Sequence, residues 1–109
     1  MNIQIVAVAN TDTHEVYADD LRIGFVKLDA NSAKSISPWR ALQWRHRQIG
    51  RFIDQQTAVD AVVNHYSDLF LRCAELSDKA KVDRSLIPRA KNLERQVRLF
   101  GENAVRLKR

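Results

Sequence analysis

The apolar residues of this chain change their spacing once, at Asp54, and that change limits the fold more than any other feature of its 109 residues. Before Asp54 they come in short β-branched or alternating runs. After it they recur every three or four residues. Period two belongs to strands, and a 3-4 spacing marks one face of a helix. The expected fold is therefore α+β: an antiparallel sheet of three to five strands, one helix packed on it, and a long C-terminal helix. Residues 1–66 make the sheet and its packing helix, and residues 67–109 a helical extension.

Residues 2–9, rich in Ile, Val and Ala, read as a strand buried on at least one face. Asn10, Thr11, Asp12 and Thr13 supply turn chemistry, and residues 14–18 read as a short returning strand. Residues 21–29 form a third strand, in which Gly24 marks a bulge or a close backbone approach. Residues 30–37 are a polar loop of small residues. Pro38 opens a strand over 39–45, a turn falls near His46 and Arg47, and a last strand covers 48–53.

Asp54 is a good N-cap for the helix that follows. Its apolar seam is Val59, Val62, Tyr66, Leu69, Cys73 and Leu76. Residues 77–84 are polar and contain the interhelical turn. Ser85 is placed to cap a second helix with Pro88 in its first turn, where a missing N–H does no harm. That helix, residues 86–108, carries a heptad seam of Leu86, Ala90, Leu93, Val97, Phe100, Ala104 and Leu107. Gly101 lies beside the seam and lowers helix stability by roughly 1 kcal/mol. The seam can pair with the preceding helix or build a dimer.

Charge comes in blocks. Residues 1–37 are net −2, 38–53 are net +4 with four arginines and no acid, 54–83 are net −3, and 84–109 are net +6. Two basic blocks suggest two positive faces, which attract phosphates or acidic proteins. Arginine makes up 12 of the 18 basic residues, a bias toward bidentate recognition. The acids of the first helix could also neutralise the basic second helix within one chain.

A family resemblance rests on Gly50-Arg51-Phe52-Ile53-Asp54 followed by Ala58 and Ala61, with Gly24-Phe25-Val26 and Trp39-Arg40-Ala41 upstream. The pattern over residues 21–66 resembles the three-stranded sheet plus helix of AP2-type DNA-binding domains and of the arm-binding domains of phage integrases, as also found in small phage and mobile-element proteins. It implies that Trp39 and Ala41 face the helix and that the outer sheet face meets DNA. Leu42 departs from the pattern, standing where polar readers are usual.

The candidate binding residues are Arg40, Trp44, Arg45, His46, Arg47, Gln48 and Arg51. Arg and Gln can read base edges in a groove, while the others contact phosphate and sugar. The same hairpin could simply be a solvated basic edge. No catalytic constellation, phosphate loop or metal spacing stands out among His14, His46, His65 and Cys73, so no enzyme activity and no cofactor is expected. No apolar run approaches membrane-spanning length and no signal-peptide pattern opens the chain, which leads to the expectation of a soluble, cytoplasmic protein. The expected function is a small nucleic-acid-binding accessory or regulatory protein of phage or mobile-element type, with DNA favoured over RNA, and dimeric. The alternative is a protein-interaction or inhibitor module whose C-terminal helix dimerises or binds an acidic partner.

Overall fold

The computed structural model describes residues 1–29 and 36–108. Most of the loop expected at 30–37 lies outside the described residues. Five strands, β1 (Ile3–Ala7), β2 (Thr13–Ala18), β3 (Leu21–Leu28), β4 (Trp39–Gln43) and β5 (Gln48–Phe52), form one antiparallel sheet in chain order. Helix α1 (Gln55–Ala80), a 3₁₀ turn (Arg84–Leu86) and helix α2 (Ile87–Glu102) follow. This is an α+β fold. The switch of period at Asp54 marks the switch from sheet to helix.

The chain divides into two units, one of residues 1–65 with the C-terminal residues from Val105, the other Tyr66–Ala104. In the first unit the core is Val16, Ile23, Val26, Ala41, Ala58, Val59 and Val62, all almost wholly buried. Fully burying a Val or Ile side chain contributes roughly 1.5–3 kcal/mol, so these few residues carry much of the unit's stability. Gly24 explains how α1 sits so close to β3. A Cβ there would lie 2.7 Å from Val62 Cγ1 and 2.4 Å from the Leu42 carbonyl oxygen. Gly24 thus faces α1, and the register carries that assignment across the sheet.

The turn between β2 and β3 is the pair Asp19 (φ 49°) and Asp20 (φ 70°), both left-handed. Two such residues make a type I′ turn, whose twist matches that of the flanking strands, and Asp tolerates this region better than most residues. Asp54 caps α1 as its sequence position implies, its Oδ1 accepting from the Thr57 N–H at 2.7 Å. The cap of the following turn is Asp83, not Ser85. The Asp83 carboxylate accepts from the Ser85 N–H at 3.0 Å and from its hydroxyl at 2.6 Å. A carboxylate two residues upstream reaches donors that the Ser85 side chain, itself bonded to it, leaves open.

These caps carry a pH dependence. The backbone N–H of Thr57 holds the Asp54 carboxyl below the usual carboxylate range, and the hydroxyl and N–H of Ser85 do the same for Asp83. A lowered folded-state pKa adds stability above the unfolded value that is lost as pH falls through the folded one. Thermal melts should therefore fall as pH drops below about 4. Asp54→Ala should melt lower at neutral pH and show a shallower acid dependence over that window. An unchanged acid profile would remove the cap from the account.

In the second unit Phe100 is buried and its ring meets Tyr66 at 5.5 Å and Phe70 at 6.1 Å, between centroids. Ser77 Oγ bonds Glu94 Oε1 at 3.0 Å. The heptad seam of α2 is thus engaged within its own chain over Ala90 and Phe100, both buried, with Leu86, Leu93 and Val97 half-buried. The expected helix to residue 108 is corrected: α2 ends at Glu102, so Ala104 and Leu107 leave the seam. Asn103 closes the helix, its N–H and side-chain Nδ2 both bonding the Leu99 carbonyl. Beyond it the backbone joins β3, where Val105 O accepts from Arg22 N and Leu107 N donates to Asp20 O, each at 2.8 Å. The ion pairs of the described helical residues, Lys81–Asp78 and Arg98–Glu102, each lie within one segment and do not join α1 to α2.

A methyl group added at Gly101 would have no neighbour within 4 Å outside the adjoining turns of its own helix, so a side chain there meets open space. Gly101→Ala should raise stability by about 0.5 kcal/mol, by limiting the unfolded chain and favouring the helix. A fall in the denaturation midpoint would contradict this.

Candidate nucleic-acid interface

Paired residues of a sheet share a face, so Gly24 sorts the rest. Val26 and its partner Ala41 lie on the α1 side, as do Trp39 and Phe52, which pair in turn. Trp39 meets the His14 ring there at 6.1 Å. The opposite face carries the other phase: Lys27 opposite Arg40, Arg40 opposite Arg51, Phe25 opposite Leu42, and Leu42 opposite Gln48. Trp39 and Ala41 thus face α1, and Arg40 faces away from it.

One row of this outer face stands out physically. Lys27, Arg40 and Arg51 sit side by side on β3, β4 and β5. Neighbouring strands are about 4.8 Å apart, so three cations fall within roughly 10 Å. Like charges directly opposite one another destabilise a sheet. Asp29 offsets one of them, its Oδ2 lying 2.9 Å from Arg51 Nη2. Arg40 donates from Nε to Gln48 Oε1 at 3.0 Å, which fixes both side chains on this face. Among the described residues no carboxylate pairs with Lys27 or Arg40.

The next row is apolar and aromatic. Phe25 is buried, the His46 ring stacks on it at 4.3 Å and 18°, and the Arg22 guanidinium lies 4.9 Å from its centroid. Arg22 also pairs with Glu15 at 2.7 Å. Tyr17 lies in this neighbourhood, opposite Arg22, and burial pushes its phenol pKa up, with the Glu15 charge adding to the effect.

The hairpin tip differs from the expected strand over 39–45. β4 stops at Gln43, and residues 44–47 form the turn. His46 N donates to Gln43 O at 2.8 Å, and Gln43 N to Arg47 O at 2.9 Å. His46 is left-handed, with φ 67°. This is a three-residue loop: a type I turn followed by a left-handed residue. The Gln43 side chain accepts from Arg45 N and stiffens it. The left-handed region is unfavourable for most side chains, and the stack of His46 on Phe25 offsets this. Strand alternation therefore fixes Arg40 and Arg51, and the bulge at Ile49 brings Gln48 to the same face, whereas turn geometry fixes Trp44, Arg45, His46 and Arg47. The Arg45 guanidinium lies 5.1 Å from the Trp44 ring, and Arg45, His46 and Arg47 are exposed.

Lys27 is the residue that sequence reasoning missed. Its signal was available, since it follows the buried Val26 in a strand and so faces the other way. Its neighbours Arg40 and Arg51 appear only once the register is known. Among the described residues no group of three His, Cys, Asp or Glu is arranged to hold a metal ion, and no helix is long and apolar enough to cross a membrane. No protein-family model, curated protein or solved structure matches the chain.

Proposed function

We propose that this protein binds nucleic acid through the outer face and tip of the β4–β5 hairpin, with β3 contributing Lys27. The observation that carries the reading is the row of Lys27, Arg40 and Arg51, three cations in direct register on a face turned away from α1. The Lys27–Arg40 repulsion in this row destabilises the free protein, and a chain of phosphates spaced along a backbone relieves it. Gln48, held by Arg40, supplies a group able to read a base edge, and Arg45 and Arg47 extend the positive surface to the tip. The resemblance of residues 21–66 to AP2-type and integrase arm-binding domains points to the same face. Duplex DNA is the favoured substrate because a two-stranded ribbon fits a major groove. An accessory or regulatory role in a phage or mobile element accords with that resemblance.

A salt titration of binding to mixed-sequence duplex DNA tests this. Affinity should fall linearly on a log–log plot, with a slope of about −3 to −5 if three to five phosphates are neutralised. Binding that ignores salt, or no binding at low salt, would sink the proposal.

A further inference from the structure

The two outer strands of the sheet are unlike each other. β5 carries Arg51 and sits beside a bulge where Ile49 interrupts the pairing with β4. Charges and bulges of this kind keep an edge from pairing with another chain. β1 has neither. Residues 1–11 contain no charged side chain, no Pro and no Gly, and β1 pairs with β2 without a break from Ile3 opposite Ala18 to Ala7 opposite His14.

The backbone of β1 points its free groups outward in a definite phase. Asn2 O accepts from Asp19 N at 2.9 Å, and Val8 N donates to Thr13 O at 3.0 Å. Even-numbered residues therefore face β2, and the N–H and C=O of Ile3, Ile5 and Ala7 face away from it. Among the described residues no strand takes them up. Ile5 is 41% exposed, unusual for the middle residue of an apolar strand.

We infer that this edge receives a second copy of the chain, β1 against β1 in antiparallel pairing about a two-fold axis at Ile5. Two five-stranded sheets then become one continuous sheet. A copy of the same strand fits because the edge is self-complementary. Ile5 meets Ile5, Ile3 meets Ala7 of the second copy, all six outward-facing residues are in the bonding phase, and no like charges come together. The exposed Ile5 side chains pack on each other as a cross-strand apolar pair. This contact is separate from the α2 seam. The β4–β5 hairpin lies at the other edge of the sheet, so dimerisation leaves it open and the inference stands apart from the nucleic-acid reading.

Sedimentation equilibrium over the micromolar range tests it with wild type, Ile5→Lys and Ile5→Pro. The Ile5 N–H makes no bond to β2, so proline removes no hydrogen bond within the chain, and both variants should keep the wild-type circular dichroism. Wild type should be a dimer, and each variant should weaken it at least about tenfold, since lysine sets two like charges face to face and proline removes a central donor. Amide exchange gives a second readout. Protection at Ile3, Ile5 and Ala7 should rise with protein concentration while that at Gln4 and Val6 stays constant. A monomeric wild type, a dimer that survives both substitutions, or protection independent of concentration at Ile5 would each overturn the inference.

Discussion

Replacing Lys27, Arg40 and Arg47 together by alanine should lower affinity for duplex DNA at least roughly tenfold and flatten its salt dependence, because each lost phosphate contact removes about 0.9 from the log–log slope. The three side chains come from β3, β4 and the hairpin tip, and none has a carboxylate partner among the described residues. Their removal should leave the fold intact. Relief of the Lys27–Arg40 repulsion should even raise the denaturation midpoint slightly, which separates a binding surface from a merely structural one. His14→Ala is the matched control. His14 lies on the α1 side against Trp39, and its loss should leave affinity unchanged. If the triple variant binds as wild type does at near-physiological salt, this face is a solvated basic edge and the hairpin is not the interface.

The largest stability effect should come from a single methyl group. Gly24→Ala places a Cβ 2.4 Å from the Leu42 carbonyl oxygen and 2.7 Å from Val62 Cγ1, both closer than real contacts allow. Leu42 O belongs to the adjoining strand and cannot move without disturbing the β3–β4 ladder. Val62 is almost wholly buried and has nowhere to turn. Overpacking of this kind should lower unfolding free energy by about 3 kcal/mol, a large share of what a domain of this size possesses. Val62→Ala in the same chain should recover only part, since the clash with the carbonyl remains. An unfolding free energy for Gly24→Ala within about 0.5 kcal/mol of wild type, read from urea titration, would show that α1 does not lie on β3 as described.

Both predictions turn on positions that differ in how readable they were. Gly24 announced itself, because a glycine inside an apolar strand signals a close approach. The partners that make it necessary did not, since Leu42 and Val62 are far along the chain. Asp54 was readable for a local reason: an acidic residue just before a helical period, with its bonded donor only three residues on. Asp83 was missed in favour of Ser85 because both have capping chemistry within one turn, and only the hydrogen bonds distinguish them.

The residues by themselves determined the order of elements, the five strand positions to within a few residues and the start of α1, all of which depend on neighbours close in sequence. Tertiary structure decided the rest. The heptad spacing continues to Leu107, yet α2 ends at Glu102, because the backbone at Val105 and Leu107 bonds to Arg22 on β3 and to Asp20 in the β2–β3 turn instead of closing another helical turn. The row of Lys27, Arg40 and Arg51 likewise exists only through the register of three strands, set by pairing across loops and by the fit of α1 at Gly24. Spacing along a chain groups side chains by face only between bulges; hydrogen bonds between distant segments specify where the bulges fall and which side chains meet.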